Sequence, residues 1–337
     1  MTPAGRTAAI FGLAGPVLTA EERDFFRAAD PFGFILFARN VEDPDQLRRL
    51  TGDLRQSVGR DAPILIDQEG GRVQRMRAPH WAEYLPPLDA VARAGDQAPR
   101  MMWLRYRLIA HELRAMGVDT NCAPCLDVAT DQTHPFLKNR CFADDPAQVA
   151  LLGRAAADGL LAGGVLPVMK HLPGHGRAAL DTHLELPTVN VDSEALDDTD
   201  FAPFRALADL PMAMTAHIVF SAFDRRPATL SPEMVRVIRE QIGFDGLLMT
   251  DDLNMQALKG TAAESTRAAR MAGCDMALFC KGTVAEMALI ADAAGQMGPE
   301  TMVRAQKALA ARRLPEAVDI DALRAEHSAL LGGEGDG

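Results

Sequence analysis

Short apolar runs alternate with longer amphipathic stretches through most of the chain. The runs at 8–13, 33–38, 63–67, 118–124, 165–170, 212–217, 246–251 and 276–280 have strand length. They are continuous, not strictly alternating, as expected of strands covered on both faces. Between them, apolar positions recur at helical spacing over 21–29, 43–58, 99–116, 146–162, 193–208, 231–242, 262–272 and 283–295. Asp43 and Ser231 stand where a helix start needs a side-chain acceptor, and Pro232 suits the first helical position. Eight strand–helix units predict an α/β chain with parallel strands closed into a (β/α)₈, or TIM-type, barrel; an open doubly wound sheet is the competing arrangement. No linker or repeat divides the chain, so a single domain is expected over 1–331, with a helix or two after the eighth unit. The glycine-rich end, 332–337, reads as a disordered tail.

Composition narrows the function classes. With 337 residues, 48% of them hydrophobic and 24% charged, the chain can bury a large core. Its 46 acidic residues against 35 basic ones give a charge of −11, which repels polyanions and argues against nucleic acid. Five cysteines make no disulfide framework and suit a reducing compartment. Cys122 and Cys125 have redox or zinc-pair spacing, but without a second pair they read as small buried residues. The apolar segment 8–20 follows only one positive charge and contains Gly15-Pro16, so it reads as a first strand, not a signal peptide. No uninterrupted run reaches the ~18 residues of a membrane span. A cytoplasmic protein without a membrane partner is expected.

The polar residues are informative by position. Strand three ends in Asp67-Gln68-Glu69-Gly70-Gly71-Arg72, and strand four runs into Asp127 and then Asn139-Arg140. Strand five ends in Lys170-His171, followed by a loop with His175 and Asp181-Thr182-His183; strand six ends at His217 and strand seven at Asp251-Asp252. The C-terminal strand ends are where barrel enzymes build their sites, so these residues predict a polar active site.

Two chemistries fit. In a metal-dependent hydrolase, histidines and aspartates at strand ends would hold Zn²⁺. However, the His171–His175 spacing is that of a helical ligand pair, and Pro173, Gly174 and Gly176 forbid that helix. In metal-free hydrolysis, Asp251 or Asp252 would attack carbon while another group protonates the leaving oxygen. Asp181 and His183 fall on one side of an extended loop, so the carboxylate can hold the imidazole and raise its pKa towards neutrality, which suits proton donation. The loop 172–186 is expected to be mobile, loosened by Gly174 and Gly176.

Several strings carry a family resemblance: Ile66-Asp67-Gln68-Glu69-Gly70-Gly71-Arg72-Val73, Lys170-His171-Leu172-Pro173-Gly174-His175-Gly176, Asp181-Thr182-His183 and Thr250-Asp251-Asp252-Leu253-Asn254-Met255. The sequence resembles the single-domain bacterial β-N-acetylhexosaminidases of glycoside hydrolase family 3, enzymes of cell-wall recycling. The resemblance implies a (β/α)₈ barrel and retaining, exo-acting removal of terminal β-linked N-acetylglucosamine (GlcNAc), without metal or cofactor. The substrate it implies is GlcNAc linked to anhydro-N-acetylmuramic acid, with or without peptide. It assigns Asp251 as nucleophile, His183 as acid/base oriented by Asp181, and Asp67, Arg140, Lys170 and His171 as sugar contacts. Arg72 is a further contact candidate, or pairs with Glu69 or Asp67 to hold its loop. His175 is expected to support the glycine-rich loop, His217 to be a hydrogen-bonded strand-end residue, and Asp127 to anchor a basic side chain. A monomer acting on a small sugar substrate is expected, and a related phosphorylase is the alternative activity. Leu137-Lys138, Cys141 and Leu172 depart from the family pattern and bear on the pocket's shape.

Overall fold

In the computed structural model, residues 4–178, 186–255, 258 and 260–333 are described. Eight parallel strands close into a barrel: β1 (Thr7–Phe11), β2 (Pro31–Leu36), β3 (Ile64–Ile66), β4 (Thr120–Asn121), β5 (Leu166–Leu172), β6 (Met212–Thr215), β7 (Leu247–Asp252) and β8 (Met276–Phe279). Each strand pairs with its sequence neighbours, and β8 closes on β1 through Ala9 opposite Ala277. The single barrel expected from the pattern is the fold observed.

Strand parity sorts the apolar residues into two layers. Ala8, Ile10, Leu65, Val168, Met214, Met249 and Leu278 fill the lumen, while Ala9, Phe11, Ile64, Ile66, Met169 and Leu248 pack outward against helices. A strand buried on both faces therefore reads as an unbroken apolar run. Helices Ala20–Ala29, Pro44–Val58, Ala98–Ala115, Pro146–Ala162, Pro232–Glu240, Ala262–Ala272 and Val284–Ala294 lie within two residues of their expected bounds. Asp43 and Ser231 accept the backbone N–H groups of Gln46 and Met234 as helix caps.

Three differences have local causes. The helix expected over 193–208 is two short ones, Ser193–Asp198 and Ala202–Ala206. Pro203 cannot continue a helix through its interior but suits the first turn of a new one. Helix Pro87–Ala94 and a hairpin pairing Gln68–Gly70 with Val73–Gln74 were not anticipated. Two further helices, Pro299–Ala310 and Ile320–Leu330, follow the eighth unit. Of the expected disordered tail, 334–337 lie outside the described residues. Among the described residues, no helix is long and apolar enough to cross a membrane.

Candidate active site

The inward row of β3, Leu65, continues past the strand to Asp67, and that of β5 continues from Val168 to Lys170. The two meet, with Lys170 Nζ 2.8 Å from Asp67 Oδ1 and 2.6 Å from Glu69 Oε1. Arg140 grips Glu69 through two bonds, Nη2 to Oε1 at 2.8 Å and Nε to Oε2 at 3.0 Å, while Arg75 Nη2 donates to Asp67 Oδ2 at 3.0 Å. The result is a row of alternating charge: Arg75, Asp67, Lys170, Glu69, Arg140. Burial pushes both carboxyls up, but Lys170 and Arg75 hold Asp67 well below the usual carboxylate range, and Arg140 and Lys170 bring Glu69 to about 2. Burial lowers Lys170, and the facing Asp67 and Glu69 charges raise it above its ordinary value. The row is fully ionised at neutral pH.

Arg75 is a site residue that the sequence reading missed, and Arg72 does not fill the structural role weighed for it. Arg72 lines the cavity, but its guanidinium carbon lies 3.4 Å from the centre of the Phe136 ring and pairs with neither Asp67 nor Glu69. The reason is the hairpin. Its turn passes through Gly70 and Gly71, both at positive φ, and a Cβ on Gly71 would sit 2.8 Å from Pro86 Cα. Gln68 then pairs with Gln74, which brings Arg75 beside Asp67 and leaves Arg72 at the turn. The Gly-Gly pair was the available signal.

Asp127 is buried and anchors the next part of the wall. Its Oδ2 lies 2.7 Å from His171 Nδ1 and accepts the Cys125 thiol at 3.2 Å, while Oδ1 accepts the backbone N–H of His171 and of His175 at 3.2 and 2.8 Å. Burial raises this carboxyl, and the His171 and His175 imidazoles with the N–H donors hold it below its ordinary range. Asp127 thus fixes one ring nitrogen of His171, which lines the cavity. His175 is buried, and burial with the neighbouring His171 charge lowers its pKa to about 4, so it is neutral in the fold. Its backbone N–H ties the loop to Asp127, and the residue also lines the cavity. Of that loop, residues 172–178 are buried apart from half-buried Arg177, and a Cβ on Gly176 would collide with the Val128 carbonyl. Its glycines serve close packing there. Asp181 and His183, the expected acid/base pair, lie outside the described residues.

On β7, Leu247 and Met249 face the lumen, and Asp251 continues that row. Its Oδ1 accepts the Asp252 N–H at 2.8 Å. Burial raises Asp251, but the His217 and His171 imidazoles, that N–H and Lys170 hold it below the usual carboxylate range. Asp252 is occupied differently: its Oδ1 accepts the N–H groups of Asn254 and Cys280, both at 3.1 Å, and burial leaves its pKa raised. His217 places Nδ1 2.8 Å from Thr229 Oγ1 and Nε2 3.0 Å from the Asp252 carbonyl, which makes it the hydrogen-bonded strand-end residue expected.

These groups surround a cavity of about 390 Å³ whose wall includes Asp67, Arg140, Lys170, His171 and Asp251. Among the described residues, Cys125, Asp127 and His171 have ligand atoms within 4.8 Å of one another, close enough for a metal, but here they hydrogen-bond among themselves. Cys122 lies apart from them in the lumen, and all five cysteines are free and buried.

Comparison with known proteins identifies the family and the fold. A model of the glycosyl hydrolase family 3 N terminal domain matches residues 19–313. The chain is 40% identical over 277 residues to a β-hexosaminidase of Methylococcus capsulatus, covering 80% of this chain and 82% of that one. It is 38% identical over 287 residues to a β-hexosaminidase of Pseudomonas aeruginosa, covering 83% and 84%. NagZ from Neisseria gonorrhoeae, solved in complex with N-trifluoroacetyl-D-glucosamine, superposes with a TM-score of 0.85 at 28% identity, covering 98% of this chain and 100% of that one.

Proposed function

The chain belongs to glycosyl hydrolase family 3 and is a β-N-acetylhexosaminidase, and from that premise we propose that it removes terminal GlcNAc from peptidoglycan fragments by a retaining, covalent mechanism. The fragment proposed is GlcNAc linked to anhydro-N-acetylmuramic acid, with or without its peptide. The observation that carries the reading is the placement of Asp251. It is an inward-facing carboxylate kept ionised at the end of β7, in the cavity that also presents Asp67, Lys170, Arg140 and His171.

In this scheme the ionised row seats the sugar, with Asp67 accepting from its hydroxyls and Arg140, Lys170 and His171 completing the seat. Asp251 attacks the anomeric carbon while His183, oriented by Asp181, protonates the glycosidic oxygen. The same histidine then takes a proton from water, which cleaves the glycosyl–Asp251 ester, and two inversions give net retention. A cytoplasmic setting fits the five free thiols and a fragment arising from wall turnover.

Release of nitrophenol from 4-nitrophenyl β-GlcNAc, run with and without EDTA and beside the plain β-glucoside, tests the proposal. Chelator-resistant release from the acetylated sugar alone is expected. Activity lost to EDTA would make the Cys125–Asp127–His171 cluster a working metal centre and contradict the scheme.

A further inference from the structure

Among the described residues, four Lys or Arg side chains line the cavity, and three are committed to carboxylates: Arg75 to Asp67, Lys170 to Asp67 and Glu69, and Arg140 to Glu69. Arg72 is different. Among the described residues it has no carboxylate partner; its side chain is exposed, lies over the Phe136 ring and donates from Nη1 to the Phe136 carbonyl oxygen at 3.5 Å. Phe136 is itself set by the short turn Pro135–Lys138, whose first residues are capped by His134 Nδ1 accepting the Phe136 N–H at 3.2 Å.

A guanidinium laid on an aromatic face is held there by cation–π attraction, so less side-chain freedom is lost when it binds a ligand. The stacking uses the flat face and leaves edge N–H donors for an anion, in the fork geometry that matches a carboxylate or a phosphate. GlcNAc carries no charge and has the buried ionised row as its seat. An anion meeting Arg72 therefore comes from the other side of the scissile bond.

We propose that Arg72, laid on Phe136 at the cavity wall, is the receptor for a carboxylate carried by the leaving group and makes the enzyme select acidic over neutral aglycones. The proposal rests on the β-N-acetylglucosaminidase reading above and adds the residue that recognises the other half of the substrate.

The test compares kcat/KM on GlcNAc β-linked to anhydro-N-acetylmuramic acid with that on its methyl ester. A hydrogen-bonded charge pair predicts an acid-to-ester preference of about 10–100-fold for the wild type. In Arg72→Gln this ratio should fall to near one. In Arg72→Lys, which keeps the charge and loses the fork, it should be intermediate. Because the readout is a ratio, a partly unfolded variant does not mimic the effect. An unchanged ratio in Arg72→Gln overturns the proposal and leaves the activity assignment standing. Failure of the wild type to release GlcNAc from either disaccharide and from the nitrophenyl glycoside overturns the activity assignment and the proposal together. Inorganic phosphate is the other anion that fits the fork. If added phosphate yields GlcNAc 1-phosphate from the nitrophenyl glycoside, and Arg72→Gln abolishes that product, the ligand is phosphate and the leaving-group assignment is overturned.

Discussion

Asp251 and Asp252 are adjacent carboxylates that the fold puts to different uses. Asp251 faces the cavity and is held ionised, while Asp252 accepts two backbone N–H groups that shape the end of the strand. Asp251→Asn is therefore expected to lower kcat by about 10⁴-fold with little change in melting temperature, as measured by steady-state kinetics beside calorimetry. Asp252→Ala should instead cost about 1–3 kcal/mol of stability by leaving those N–H groups unmatched, read from urea unfolding. His175 gives a pH prediction. It titrates near 4 in the fold against an ordinary 6.5, so between those values the unfolded chain binds more protons. Stability should fall by up to about 3 kcal/mol as pH drops from 6.5 to 4, and His175→Gln should flatten that slope in urea titrations at several pH values. The chemistry-bearing residue types were legible in the sequence, but their orientation was not. Leu247, Leu248 and Met249 are all apolar, so nothing along β7 marks which parity faces inward until the barrel closes. Arg75 was missed for a similar reason, since only the hairpin register says that it, and not Arg72, returns to Asp67.

At the scale of elements, the row from Arg75 to Arg140 ties the hairpin after β3, the end of β5 and the loop after β4 to one another. Glu69 is its pivot, buried between two cations. Glu69→Gln removes the only charge facing Arg140 within that row. It is expected to cost about 3–5 kcal/mol, seen as a lower denaturant midpoint, together with a raised KM because Arg140 and Lys170 lose their fixed positions. Element order and helix bounds were readable because caps such as Asp43 and Ser231 mark where helices begin. The break in the 193–208 helix was equally readable from Pro203, which the apolar periodicity around it masked. Helix Pro87–Ala94 was missed; its N-cap, Pro86, offers no side-chain cap.

Across the whole molecule, the two ends of the barrel are built for different tasks. At the N-terminal ends of the strands, Asp275 accepts the Leu248 N–H at 3.0 Å and Thr301 Oγ1 at 3.0 Å, and pairs with Arg239 at 2.7 Å and Arg304 at 3.3 Å. Asp119 pairs similarly with Arg55 and Arg312. These clusters lock strands to helices and lie at the end of the barrel opposite the cavity, where a buried charge serves stability. Asp275→Ala should therefore lower unfolding free energy by about 3–5 kcal/mol while kcat/KM per folded molecule stays at the wild-type value. The opposite end concentrates the chemistry, and there Asp251 is the residue proposed to form the bond to sugar. Brief reaction with a fluorinated GlcNAc fluoride, which forms the glycosyl-enzyme quickly and hydrolyses slowly, followed by mass-spectrometric sequencing of the labelled peptide, tests this most directly. One sugar per chain located on Asp251 is predicted, whereas a label on Asp252, or turnover of the reagent with no adduct and an α-configured first product, would contradict it.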